Sequence, residues 1–316
     1  RSNYIHPHQL PERPTMNARL ELDRYRSDYD GYRHPNSAYR PLSLQRPEPF
    51  NHVPREAEVT GPIRGRQECH TAPAEWRLLG WLEREGFGYD VWSEAQLHFG
   101  QLELDHYRVL IISGHPEYWS PEMYWRLKAW VFERGGRLMY LGGNGICGAV
   151  EFPDSDTMRF LNHVGDEDHP ERGASRFAQH AESPARLLGV EFDDRGIMTA
   201  APYRVLDATH WAFAGTGLKE GDLFGQASQH ERIHGGASGH ETDKLSPSDS
   251  PAGTELLAKG TNPDEGGADM VYHETASGGR VFSTGSITYI ASLLVDAPLS
   301  RLTANVLSRF AEPGGA

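Results

Sequence analysis

The sequence predicts an α/β domain with a mostly parallel sheet, and three observations carry that prediction. Val109-Leu110-Ile111-Ile112 and Arg137-Leu138-Met139-Tyr140-Leu141 have the aliphatic density of buried strands. Between them Ser120 can cap a helix that puts Met123, Leu127, Trp130 and Val131 on one face before Gly135-Gly136 ends it. Strand, helix and strand at this spacing require parallel strands joined by a crossover helix. Each strand also runs into a chemically loaded segment, His115-Pro116-Glu117-Tyr118-Trp119-Ser120 after the first and Gly142-Gly143-Asn144-Gly145 after the second. Ligands of open α/β sheets bind in the crevice at the carboxyl ends of the strands. His115, Glu117 and Asn144 are therefore candidate substrate-pocket residues. The competing reading is two ordinary turns.

Taken in order, residues 1–70 hold nine of the 21 prolines, many Arg and Tyr, and no sustained period of 2 or 3.6. They read as an extended Pro-rich arm, with Tyr25, Tyr29, Tyr32 and Tyr39 available to pack on the domain or on a partner. The α/β domain then fills residues 71–316. Trp76, Leu78, Leu79 and Leu82 form a helical stripe closed by Gly86. Tyr89–Trp92 reads as a short strand, residues 97–100 as a turn, and 107–112 as the first long strand. Beyond residue 150 the segments 187–192 and 203–206 have strand character, and 231–255 is a long polar loop. Met270–His273 and Arg280–Thr284 are strands, and Ser300–Phe310 is an amphipathic helix. There is no internal repeat.

With 316 residues the chain can bury a large core, although its hydrophobic content is only 38% and its mean hydropathy is −0.60. A formal charge of −13 leaves nothing to neutralise a row of phosphates, which argues against a nucleic-acid partner. Cys69 and Cys147 match neither a disulfide framework nor a zinc spacing and are expected to be reduced. No apolar stretch reaches the ~20 residues of a membrane span, and no signal-peptide pattern is present. These readings set the protein in the cytoplasm, away from membranes.

His230-Glu231-Arg232-Ile233-His234, followed by His240, has the spacing of a zinc-peptidase motif. That chemistry needs the first two His one helical turn apart on one face. Here a Gly-Gly pair and polar flanks leave no apolar stripe to hold such a helix.

The two loops, quoted whole as Ser113–Ser120 and Gly135–Gly145, resemble the N,N-dimethylformamidase large (beta) subunit and its relatives. So do Asp269–Glu274, Val281–Ile287 and the Gly-rich Gly235–Lys244. The resemblance implies a flavodoxin-like or class I amidotransferase-like sheet. It also implies an amidohydrolase in which two tyrosines and a glutamate hold one mononuclear Fe(III). Tyr118 matches one tyrosine and Glu171 the glutamate. His169 matches the catalytic neighbour of that glutamate, and Glu274 a catalytic carboxylate. The second tyrosine is implied on the helix at 75–85, where this chain has Trp76 and Arg77. Phenolate and carboxylate oxygens suit a hard ferric ion, which can polarise an amide carbonyl or generate hydroxide. The implied partners are a small N-substituted formamide or related amide, a small accessory subunit, and further copies in a homo- or hetero-oligomer. Two rival readings stand beside this one, a non-catalytic binding or scaffold subunit of the same fold and a zinc metallopeptidase at 230–234.

Overall fold

In the computed structural model, the structure describes residues 42–44, 72–161, 176–230 and 234–313. The expected arm therefore lies outside the described residues except at Leu42–Ser43, which pair antiparallel with Thr157 and Met158. The first helix, α1 (Ala72–Glu85), leads into strand β1 (Leu110–Gly114). Ser120 caps α2 (Pro121–Arg134) by accepting from Met123 N, and left-handed Gly135 ends it before strand β2 (Arg137–Gly142). Strands β3 (Tyr203–Val205), β4 (Leu223–Phe224), β5 (Glu255–Gly260), β6 (Asp269–Glu274) and β7 (Arg280–Ser283) follow. The last helix, α3 (Ala297–Ala311), is capped by Asp296.

These seven strands form one sheet in the order β4-β3-β5-β6-β7-β2-β1. The expectation of a mostly parallel, flavodoxin-like sheet is corrected here. Only β7, β2 and β1 run parallel to one another, whereas β6, β5, β3 and β4 continue as antiparallel neighbours. Chain length explains the switch. A parallel connection needs a dozen or more residues, and the turn 275–279 between β6 and β7 is too short for one. The expected strand at 89–92 is irregular, and 187–192 divides into the end of the short helix Ala185–Leu188 and the start of the strand Glu191–Asp193.

Side-chain alternation along β2 supplies both faces of the sheet. Met139 and Leu141 join one apolar cluster with Leu78, Trp81 and Leu82 of α1 and with Leu302 and Val306 of α3. Leu138 and Tyr140 join the other, with Met123, Leu127 and Val131 of α2. The three parallel strands of the sheet are thus covered on both sides, which leaves their ends as the accessible edge. Among the described residues no helix is long and apolar enough to cross a membrane.

Candidate functional site

Three loops leave the carboxyl ends of β1, β2 and β7, and the Gly-rich segment 235–244 is laid across them. Asp243 N donates to Gly285 O at 2.8 Å, Ile287 N to Glu241 O at 3.4 Å, and Gly239 N to Ser286 Oγ at 2.8 Å. The close approach requires glycine at 143, because a Cβ there would lie 2.4 Å from Glu241 O and 2.7 Å from Ile287 N. Three residues on these loops hold left-handed backbone without being glycine, Asn144 (φ 51), Ile146 (φ 53) and His240 (φ 67). Asparagine tolerates that region, and such geometry concentrates at ligand sites.

The loops bring His115, Glu117, Asn144 and Glu241 together. His115 Nε2 lies 2.8 Å from Glu241 Oε2 and 3.2 Å from Glu117 Oε2. Asn144 Nδ2 donates to Glu241 Oε2 at 2.7 Å and lies 3.1 Å from His115 Nε2. For the His115–Glu241 contact to be attractive a proton must sit between its two atoms, and either atom can hold it. The His115 side chain is 1% exposed and that of Glu241 21%, so Glu241 is the accessible end of the cluster. Asn144 Oδ1 is buried with no hydrogen-bond partner among the described residues. The arrangement can therefore hold a proton, move it between imidazole and carboxylate, and offer an acceptor to a small polar molecule. Behind His115, the rings of His115 and His240 are 6.3 Å apart, and His240 Nδ1 lies 3.4 Å from His230 Nε2.

A fully buried acid underlies the cluster. Asp243 Oδ1 accepts from Asn144 N at 2.8 Å and its Oδ2 from the Tyr140 hydroxyl at 2.6 Å, while Tyr140 accepts from Gly145 N at 2.8 Å. Burial pushes the Asp243 carboxyl up to about 7 against the pull of these donors, and Glu241 adds to the rise.

The structure thus brings the three expected pocket residues together and adds Glu241, with His240 and Asp243 beside it. The other expected site residues do not join them. Glu274 is corrected: it pairs with Arg280 at the amino end of β7, the opposite edge of the sheet, and its side chain is 52% exposed. There it accepts from the Tyr272 hydroxyl. Tyr118 follows the cluster in sequence, but its ring packs on Gly148 and beside Val150, Phe152 and Met158. His169 and Glu171 lie outside the described residues. On α1, Trp76 is 40% exposed, and Arg77 is fully buried with Nη2 donating to Gln229 O at 3.2 Å. A guanidinium has no lone pair for a metal, so Arg77 cannot replace a phenolate ligand. Among the described residues no group of three or more His, Cys, Asp or Glu is arranged to hold a metal ion. Of the zinc spacing, His230 is buried and His234 exposed, each outside any helix or strand, and residues 231–233 lie outside the described residues.

Comparison with known proteins bears on this site. A family model described as N,N-dimethylformamidase beta subunit-like, C-terminal, matches residues 19–301. The N,N-dimethylformamidase beta subunits of Alcaligenes sp and Paracoccus aminophilus are each 30% identical over 286 residues, covering 75% of this chain. The chain spans 36% of the length of these relatives.

Proposed function

Because the chain belongs to the N,N-dimethylformamidase beta subunit-like family, we propose that it is a hydrolase that cleaves the C–N bond of a small N-substituted formamide or related amide. The observation that carries this reading is the convergence of His115, Glu117, Asn144 and Glu241 at the carboxyl edge of the parallel strands. His115 and Glu241 share one proton position, so together they can accept a proton from an attacking water. Asn144 Oδ1 is an acceptor that can orient that water. The water oxygen bonds to the carbonyl carbon, and collapse of the tetrahedral adduct breaks the C–N bond. The held proton then passes to the leaving amine. Glu117, whose Oε2 lies 3.2 Å from the same Nε2, helps keep the imidazole in place.

The ferric set implied by the resemblance does not fit the described residues. Tyr118 is the one implied ligand among them, and Arg77, which has no lone pair for a metal, stands on the helix meant to supply the second phenolate. That observation favours a second reading, a non-catalytic binding or scaffold subunit. Both relatives are named as beta subunits, and the proposal includes an accessory subunit and an oligomer for this chain. It also includes a cytoplasmic setting, where the buried Cys147 thiol stays reduced.

Turnover separates the two readings. Purified protein incubated with N,N-dimethylformamide and a panel of N-alkylformamides is expected to release amine and formate in equal amounts from at least one of them. Binding of an amide without release, or no effect on any, supports the non-catalytic reading instead.

A further inference from the structure

Beneath the proton-transfer cluster lies an acid that the proposed reaction does not use. Asp243 is 1% exposed and anchored through its own N–H to Gly285 O. Both of its carboxylate oxygens accept hydrogen bonds, from Asn144 N and from the Tyr140 hydroxyl. We propose that Asp243 is a positioning residue and a proton-operated latch on the site. Ionised, it holds Asn144, and through Asn144 the Glu241–His115 pair, in the reactive arrangement; protonated, it releases them. The proposal rests on the hydrolase reading for its rate effects, but the titration it requires does not.

Hydrogen-bond counting gives the reason. Tyr140 O accepts from Gly145 N while its proton goes to Asp243 Oδ2. A proton arriving on Oδ2 turns that atom into a donor toward Tyr140, whose oxygen would then receive two donors while its own proton loses the carboxylate it pointed to. An unmade bond of that kind in the interior is costly. Oδ1 still accepts from Asn144 N, so the disturbance enters on the Tyr140 side, where the reoriented hydroxyl loosens its hold on Gly145 N and so on the turn that carries the left-handed Asn144. The Asn144 amide contributes one of the hydrogen bonds that fix Glu241 against His115. No electron transfer is involved; one proton moves between solvent and Asp243.

The surroundings make such a latch responsive near neutrality. Tyr140 and the Asn144 N–H favour the charged form, as does His115, whereas burial and Glu241 favour the neutral one. Tyr203 of β3 also feels the Asp243 charge. Lys244 directs its ammonium to Gly267 O and leaves Asp243 without a direct ion pair from that neighbour. These opposed influences leave the carboxyl at about 7, so the latch is closed above that pH and open below it.

The test uses the full chain as wild type, Asp243→Asn and Tyr140→Phe. Asparagine at 243 keeps an acceptor for Asn144 N–H but is fixed in the neutral state. Its kcat on the best formamide is expected to fall by about 10²-fold, the cost typical of a displaced catalytic group, with KM little changed. Its pH profile should lose the acidic limb that wild type shows near the Asp243 titration. Tyr140→Phe removes a donor to the charged form, so its acidic limb should move to higher pH. Infrared difference spectra of wild type against Asp243→Asn should show one buried carboxyl gaining a proton near pH 7. An acidic limb that persists unchanged in Asp243→Asn overturns the latch. So does an infrared carboxyl that stays ionised below that pH, even if the protein is an active amidase. A carboxyl that titrates as expected in a protein with no turnover supports the latch and counts only against the hydrolase reading.

Discussion

Replacing His115 with Gln is expected to lower kcat on an N-alkylformamide by roughly 10²–10⁴-fold, the range of a lost general acid–base group. Glutamine can still donate a hydrogen bond toward Glu241 or Glu117, so the loops should stay in place and KM should change little. What it cannot do is accept a proton from water and release it to the departing amine. His115 is the group whose loss separates binding from chemistry, because its Nε2 is the atom on which both carboxylates converge. Steady-state kinetics with the thermal midpoint measured on the same sample check this. A variant that retains wild-type kcat removes His115 from the reaction. One that unfolds makes it a structural residue.

The second large effect concerns the layer beneath the site. Trp81 is fully buried between α1 and α3, its Nε1 donating to Ser300 Oγ at 2.8 Å. Trp81→Ala removes the largest buried ring of that cluster, so it should cost about 3–5 kcal/mol, although Ser300 Oγ still accepts from Arg84 Nη2. A typical fold is stable by only about 5–15 kcal/mol, so the loss should appear as a marked drop in the denaturant midpoint. The kcat of the fraction that remains folded should be close to wild type, because Trp81 belongs to the helix layer and not to the loops. A small stability loss combined with a collapse of kcat would mean that the helix layer and the site are coupled in a way the packing does not indicate.

The sequence disclosed the site unevenly. The runs before His115 and Asn144 were legible as strands because both are aliphatic and bracket a capped helix, and strand ends of a parallel pair must lie side by side. His115, Glu117 and Asn144 follow from that local pattern alone. Glu241 does not, because it depends on a Gly-rich segment crossing the strand ends about a hundred residues later. The signal was present in Gly239-His240-Glu241-Thr242-Asp243, polar groups after a glycine run, but nothing local says where such a loop docks. Glu274 failed for the converse reason. It ends a clear strand, but β6 runs antiparallel to β7, and that direction carries its last residue to the far edge of the sheet. The short 275–279 turn was the available clue, since it is too short for a parallel connection. It is also why the sheet is mixed.

The central claim is that the chemistry belongs to the His115–Glu241 pair and not to a tyrosinate site at Tyr118. The most direct measurement is amine release by Glu241→Gln and Tyr118→Phe side by side with wild type, with visible spectra recorded on the same samples. Glu241→Gln keeps the shape of the cluster but removes its proton-accepting carboxylate, and should lose at least about 10²-fold in kcat. Tyr118→Phe should stay close to wild type, with no coloured band in any of the three proteins. A coloured wild type whose band and turnover both vanish in Tyr118→Phe, while Glu241→Gln remains active, would contradict the account.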